Sequence, residues 1–266
     1  MENSTPEITG LESDSRREFL KHVLSGAATA TVLMVYGPGV HGTSLRTGDS
    51  RIWKERSAEH QWTYVIDISK CIGCGACVRA CKRENNVPDK LFRTWVERYV
   101  LTDKGVYVDS PNGALEGFEE VNAKIRGSAL RTYFVPKMCN HCVDPPCIQV
   151  CPVGATYKDP EGFVLIDHEH CIGCAYCVQA CPYQARFINP EIKKSDKCTW
   201  CYHRVKNGRL PACVEACPNR ARLFGDMKDP ESEVAKIFKE DKWMVLQPEM
   251  HTQPYCFYVS LPREVV

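Results

Sequence analysis

Cys171-Ile-Gly-Cys-Ala-Tyr-Cys-Val-Gln-Ala-Cys-Pro182 places four cysteines and a proline in twelve residues. The same spacing, C-x2-C-x2-C-x3-C, occurs at Cys71, Cys74, Cys77 and Cys81. Two stretched versions lie elsewhere. Cys139, Cys142, Cys147 and Cys151 follow C-x2-C-x4-C-x3-C, and Cys198, Cys201, Cys213 and Cys217 follow C-x2-C-x11-C-x3-C. Sixteen of the 17 cysteines therefore fall into four groups, and only Cys256 stands apart.

Three chemistries compete for such thiols. Disulfides need a specific Cα separation and dihedral, and close-set cysteines would force strained local bridges. Disulfide-dense scaffolds are also mostly small, and this chain has 266 residues. Structural zinc uses C-x2-C pairs, but it joins two separated pairs or adds histidine, so a third and fourth cysteine at these spacings are surplus. The run C-x2-C-x2-C-x3-C-P is the ligand pattern of bacterial [4Fe–4S] ferredoxins, whose fourth cysteine binds the other cluster of a pair. Four occurrences favour iron–sulfur, with a zinc-binding structural module as the rival of another class.

The remaining composition is ordinary. Hydrophobic residues make up 44% and charged residues 25%, which is globular material. A net charge of +1 gives no support to nucleic-acid binding. Near the N-terminus, Ser15-Arg-Arg-Glu-Phe-Leu-Lys21 precedes a moderately apolar run from Val23 to Val40, interrupted by Gly26, Gly37, Pro38 and Gly39. The heptapeptide resembles the twin-arginine export signal. The run falls short of the ~20 apolar residues of a membrane span. Residues 1–42 are expected to be an export signal, open to retention as an anchor, and 43–61 a polar linker.

The body is expected over 62–260, starting from a strand at Trp62-Thr-Tyr-Val-Ile-Asp-Ile68, with 261–266 as a C-terminal tail. A cysteine-free insert over 82–138 carries strand-like pieces at 94–101 and 131–135 and turn signals at 103–105 and 111–113. An internal repeat closes three groups: Cys151-Pro-Val-Gly-Ala155, Cys181-Pro-Tyr-Gln-Ala185 and Cys217-Pro-Asn-Arg-Ala221. Residues 157–167 read as a small hairpin leading to the next group. Group one departs from the repeat, since Lys82 follows Cys81 and the chain enters the insert there.

A cubane wants a thiolate at each of its four irons. A tight loop wraps three corners, and Gly73, Gly75, Gly173 and Ala175 let the backbone approach. The ferredoxin precedent implies that each group donates its last cysteine to a partner's cluster. Matching motif shapes then suggests that groups one and three exchange, as do two and four. On that expectation the ligand sets are Cys71, Cys74, Cys77 with Cys181; Cys171, Cys174, Cys177 with Cys81; Cys139, Cys142, Cys147 with Cys217; and Cys198, Cys201, Cys213 with Cys151.

Phrases such as Cys139-Asn-His-Cys-Val-Asp-Pro-Pro-Cys147 and Pro211-Ala-Cys-Val-Glu-Ala-Cys-Pro218 give the body a family likeness. It resembles the four-cluster ferredoxin-like electron-transfer subunits of bacterial respiratory complexes: those of dimethyl sulfoxide, polysulfide and tetrathionate reductases, and NrfC-type and DsrO-type proteins. The resemblance implies an α+β fold of two pseudo-symmetric double-cluster ferredoxin modules with a β-rich insert and loop-rich connections. It also implies four [4Fe–4S] clusters and a periplasmic, non-catalytic relay. The implied partners are an NrfD-like integral membrane subunit that meets quinone, and a molybdopterin catalytic subunit or a cytochrome. A DsrO-type subunit of a sulfur-metabolism complex without a molybdoenzyme is the alternative. Some relatives replace a cysteine of the third motif with tryptophan and hold a three-iron cluster; here Cys174 is intact.

Other residues have plainer readings. His141 and His203 sit in ligand loops as hydrogen-bond donors or packing groups. Lys137, Lys197, Arg204 and Arg209 either offset cluster charge, dock a partner or simply face solvent. Trp95, Tyr99 and Trp243 default to core. Cys256, in an alternating apolar segment, reads as a buried free thiol. No Ser/His/Asp set, phosphate loop or paired carboxylates suggest catalysis by this chain.

Overall fold

The computed structural model describes residues 59–265, apart from 122 and 240–242. The export signal expected at 1–42 and most of the linker lie outside those residues. Among the described residues, eleven strands and seven α-helices follow in chain order. The first half runs β1 (Trp62–Asp67), α1 (Ala76–Asn85), β2 (Thr94–Thr102), β3 (Gly105–Asp109), α2 (Ala123–Arg126), β4 (Ala129–Met138) and α3 (Pro146–Gln149). It continues through the hairpin β5 (Thr156–Lys158) and β6 (Val164–Ile166), then α4 (Tyr176–Gln179) and the hairpin β7 (Arg186–Asn189) and β8 (Lys194–Lys197). Last come α5 (Tyr202–Val205), α6 (Ala212–Glu215), β9 (Arg222–Asp226), α7 (Glu233–Lys239), β10 (Trp243–Met244) and β11 (Cys256–Val259). None of these described helices is long and apolar enough to cross a membrane.

The helices record the punctuation of the sequence. After three of the cysteine groups a proline follows the last cysteine, and a helix cannot continue through it. The helices before Cys151, Cys181 and Cys217 are accordingly single turns. Group one lacks that proline, and α1 runs on through Cys81 to Asn85. It ends at Asn86, whose left-handed backbone (φ 46°) caps it.

Two antiparallel pairings decide which cysteine loops meet. β1, which leads into group one, pairs with β9, which leaves group four, in the register Ile66 to Arg222. β6, which leads into group three, pairs with β5, which leaves group two, in the register Thr156 to Ile166. Both junctions carry the same bonds. The Asp67 N–H donates to Ala221 O at 2.8 Å, and the Asp167 N–H to Ala155 O at 2.7 Å. Each aspartate then accepts the N–H of the residue two further on, Ser69 or Glu169, at 3.0 and 2.8 Å. β1 also pairs in parallel with β11, completing the four-stranded sheet β10-β11-β1-β9.

Residues 94–138 form a separate three-stranded sheet, β3-β2-β4, with the turn at Asp103-Lys-Gly105 where the sequence predicts one. β2 alternates buried and half-buried positions at its start, while β3 is an edge exposed along nearly its whole length. The core joins Tyr64, Ile66, Val78, Val135, Trp200 and Phe257. It extends past the expected boundary at 260, since Leu261 is buried.

Candidate metal centres

Burial, one recess, hydrogen bonds to sulfur and strand pairing bring the cysteines together in new combinations. Cys71, Cys74, Cys77 and Cys217 line one recess, together with Gly73, Gly75 and Arg222. Asn85 donates its amide to both Cys81 Sγ (3.6 Å) and Cys201 Sγ (3.8 Å). Burial pushes the Cys81 thiol well up, and the charges of Cys198, Cys213 and Cys201 add to this, which places it among them. Burial likewise pushes Cys142 up to about 12, with Cys139, Cys147 and Cys181 its charged neighbours. The β5–β6 hairpin brings the loop of Cys151 back to that of Cys171, Cys174 and Cys177. α3 packs on α4, and α1 on α6.

Group one thus lies beside group four, and group two beside group three. The expected pairing of one with three, and of two with four, is corrected. Cys181 stands with Cys139 and Cys142 rather than with Cys71, and Cys217 stands with Cys71 rather than with Cys139. By the same pairings Cys81 leaves Cys171 for Cys198, and Cys151 leaves Cys198 for Cys171. The reason is in the strands. Each compact motif is reached from a strand hydrogen-bonded to the one that leaves a stretched motif. Likeness of shape marks positions that are equivalent between the two junctions, not loops that touch.

The thiols suit a cluster. Gly73 and Gly173 adopt φ +70° and +71°, which an L side chain rarely adopts; a Cβ on Gly173 would stand 2.3 Å from Lys193 O. Backbone N–H groups point at sulfur: Trp200 N to Cys198 Sγ and Ala221 N to Cys217 Sγ, both at 3.3 Å. At Cys151, burial is outweighed by the N–H groups of Thr156, Val153, Ala155 and Gly154, and the thiol falls below its ordinary value. Most other thiols are pushed up by burial, Cys71 to about 11. Filling such sites must displace protons.

The seam between the second and third quartets is tied reciprocally. His141 is fully buried, and its Nε2 lies 3.0 Å from Cys198 O. The Trp200 indole N–H donates to Cys139 O at 3.1 Å, and the two rings stack at 4.2 Å. His141 is therefore a structural tie. His203 is exposed and pairs with Glu84 at 2.7 Å. Lys197 is wholly buried, donating to Val164 O and, at 2.8 Å, to Cys198 O, so it is not the solvated surface lysine that one reading allowed. Arg204 is buried between Glu84 and Glu215, Lys137 pairs with Glu97, and Arg209 is exposed. Tyr99 and Trp243 are buried and Trp95 half-buried. Cys256 is a buried thiol in β11, pushed up by burial to about 12.

Sequence reasoning missed Arg186 and Arg222. Each directly follows the alanine of the repeated phrase, Cys-Pro-x-x-Ala-Arg, five residues beyond Cys181 and Cys217. The first copy has Thr156 at that place. The signal was legible as a sixth position in the repeat.

Comparison with known proteins identifies the cysteine groups as iron–sulfur domains. Two 4Fe-4S dicluster domain models match, over residues 70–155 and 130–227. A tetrathionate reductase subunit of Salmonella typhimurium is 40% identical over 264 residues, covering 95% of this chain and 91% of the relative. The like-named protein of Archaeoglobus fulgidus is 45% identical, covering 86% and 95%. The Hdr-like menaquinol oxidoreductase iron-sulfur subunit 1 of A. fulgidus is 34% identical, covering 94% and 99%. With two dicluster domains the chain carries four [4Fe–4S] clusters, and its role is electron transfer rather than catalysis. The chain belongs to the ferredoxin-like [4Fe–4S] electron-transfer subunits of respiratory oxidoreductase complexes.

Proposed function

We propose that the chain is a linear four-cluster wire. The ligand sets are, in order, Cys71, Cys74, Cys77 and Cys217; Cys81, Cys198, Cys201 and Cys213; Cys139, Cys142, Cys147 and Cys181; and Cys151, Cys171, Cys174 and Cys177. Bound clusters supply one-electron storage at each quartet. The observation that carries the order is the burial of the sulfurs. In the two inner quartets every cysteine is buried except the half-buried Cys181. In the outer two, Cys71, Cys74, Cys217, Cys151 and Cys171 are half-buried and Cys174 is exposed. Neighbouring sets touch in sequence: Cys213 acts on Cys77, Cys139 on Cys198, and Cys147 shares an apolar cluster with Cys177.

The matched bonds of Asp67 and Asp167 support two pseudo-symmetric modules, quartets one and two against three and four. The three-stranded sheet of residues 94–138 is then a β-rich insert. Ile72 is 56% exposed at one end and Ile172 63% at the other, which suits a redox partner docking at each outer quartet. One partner is an NrfD-like membrane subunit that meets quinone, consistent with a relative named for menaquinol. The other is a molybdopterin catalytic subunit or a cytochrome. The names of two relatives make tetrathionate the first substrate to try with the complex. Ser15 to Lys21 supports export of the loaded chain to the periplasm. The second reading is a DsrO-type complex without a molybdoenzyme, to which the relative named as a menaquinol oxidoreductase subunit gives a starting point.

The test is purification of the intact complex from membranes. The expected result is co-purification with one multi-span subunit and one larger catalytic subunit or cytochrome. Recovery of the loaded chain alone from gently solubilised membranes would count against the proposal. Replacing Arg16 and Arg17 together by lysine should leave the chain in the cytoplasmic fraction.

A further inference from the structure

Two arginines are buried where, among the described residues, no carboxylate meets them. Arg222 is 1% exposed and Arg186 5% exposed. Their hydrogen bonds match. Arg222 Nη2 donates to Thr94 Oγ1 at 2.8 Å, and Arg186 Nη1 to Thr156 Oγ1 at 3.2 Å. Each guanidinium keeps one buried nitrogen with no hydrogen-bond partner, Nη1 of Arg222 and Nη2 of Arg186. A buried charge left so poorly paired is strongly unfavourable. Something anionic must offset it.

Cysteines bound to a cluster as thiolates would do so, and they stand in a consistent pattern. Arg222 lines the recess of the first quartet. Cys77, Tyr64 and Cys213 are the groups whose charge acts on it. Cys77 belongs to the first quartet and Cys213 to the second, and the Tyr64 hydroxyl lies 3.1 Å from Cys213 Sγ. Cys147, Cys139 and Cys177 act on Arg186 in the same way. Those thiols belong to the third and fourth quartets. Each arginine therefore stands between the two quartets of one module, and neither acts across the seam.

We propose that Arg222 and Arg186 are paired potential-setting residues, each holding one fixed positive charge between the two clusters of its own module. A cubane with thiolate ligands is anionic, and reduction adds a further negative charge. A cation close to both sites in a low-dielectric interior favours the reduced form at either. It raises both potentials together, so the module's two sites stay matched for transfer in either direction. Arginine suits this place because it remains charged when buried, as lysine need not. The unpartnered Nη atoms are available to donate to cluster or ligand sulfur. This inference rests on the quartet assignment proposed above.

The experiment is a reductive titration of the anaerobically purified full chain, followed by electron paramagnetic resonance. Signals are assigned to modules with Cys217→Ser and Cys181→Ser. Arg222→Gln should lower the potentials of the first and second quartets by about 59 mV or more, a tenfold shift for one electron. It should leave the other two within that limit, and Arg186→Gln should do the reverse. No shift, or an equal shift of all four, would overturn the proposal. If a glutamine variant fails to hold iron, the corresponding lysine variant decides. Full loading with less than a tenfold shift upholds the role of charge; loading no better than with glutamine refutes it. Fewer than four reducible clusters in the parent chain would instead count against the wire itself.

Discussion

Cys217→Ser should abolish the cluster shared with Cys71, Cys74 and Cys77 and leave the cluster of Cys139, Cys142 and Cys147 in place. Motif shape predicts the opposite, so the variant separates the two pairings outright. Cys217 lies on the rim of the group-one recess because β9 returns along β1, with Arg222 opposite Ile66. Serine is nearly isosteric but lacks the soft thiolate that iron–sulfur sites need. The expected reading is about three reducible clusters per chain instead of four, with the missing signal the one that Cys71→Ser also removes. Cys181→Ser should remove the signal that Cys142→Ser removes. If Cys217→Ser and Cys142→Ser delete the same signal, the exchange drawn from the strands is wrong.

Trp200→Ala should be the most damaging change away from the cysteines. Trp200 is 1% exposed at the seam of the inner quartets. It stacks on His141 and meets Phe163 and Phe224 edge-on, at 6.1 and 5.7 Å. Truncating a buried tryptophan costs about 3–5 kcal/mol. Here the change also removes the donor to Cys139 O, beside a cluster ligand. Loss of visible absorbance in denaturant should come at a markedly lower midpoint, and the signals of the second and third quartets should broaden together. Trp200→Phe keeps most of the ring contact and should lose only about 1 kcal/mol for the hydrogen bond. An alanine variant as resistant as the parent would show that the seam is not held there.

Much of this was legible in the sequence because it is local. The cysteine spacing, the prolines that end the short helices and the turn at Asp103-Lys-Gly105 all act within a few residues. The exchange of ligands was not legible. It depends on β1 meeting β9, strands more than 150 residues apart, and their register has no counterpart in motif shape. Lys197 and Arg204 read as surface charges because charged residues usually are. Their burial follows from carbonyls and carboxylates brought in by distant segments, Val164 for the first and Glu84 for the second. Arg186 and Arg222 were visible as a repeat position, but only the fold shows that both are buried, each on a threonine of another segment.

A wire of four one-electron sites is tested by counting the electrons taken up by the anaerobically purified chain, alongside its iron and sulfide. The expected result is a brown protein with about four irons and four sulfides per quartet, accepting about four electrons in separate one-electron steps. A colourless zinc protein that accepts none would contradict it.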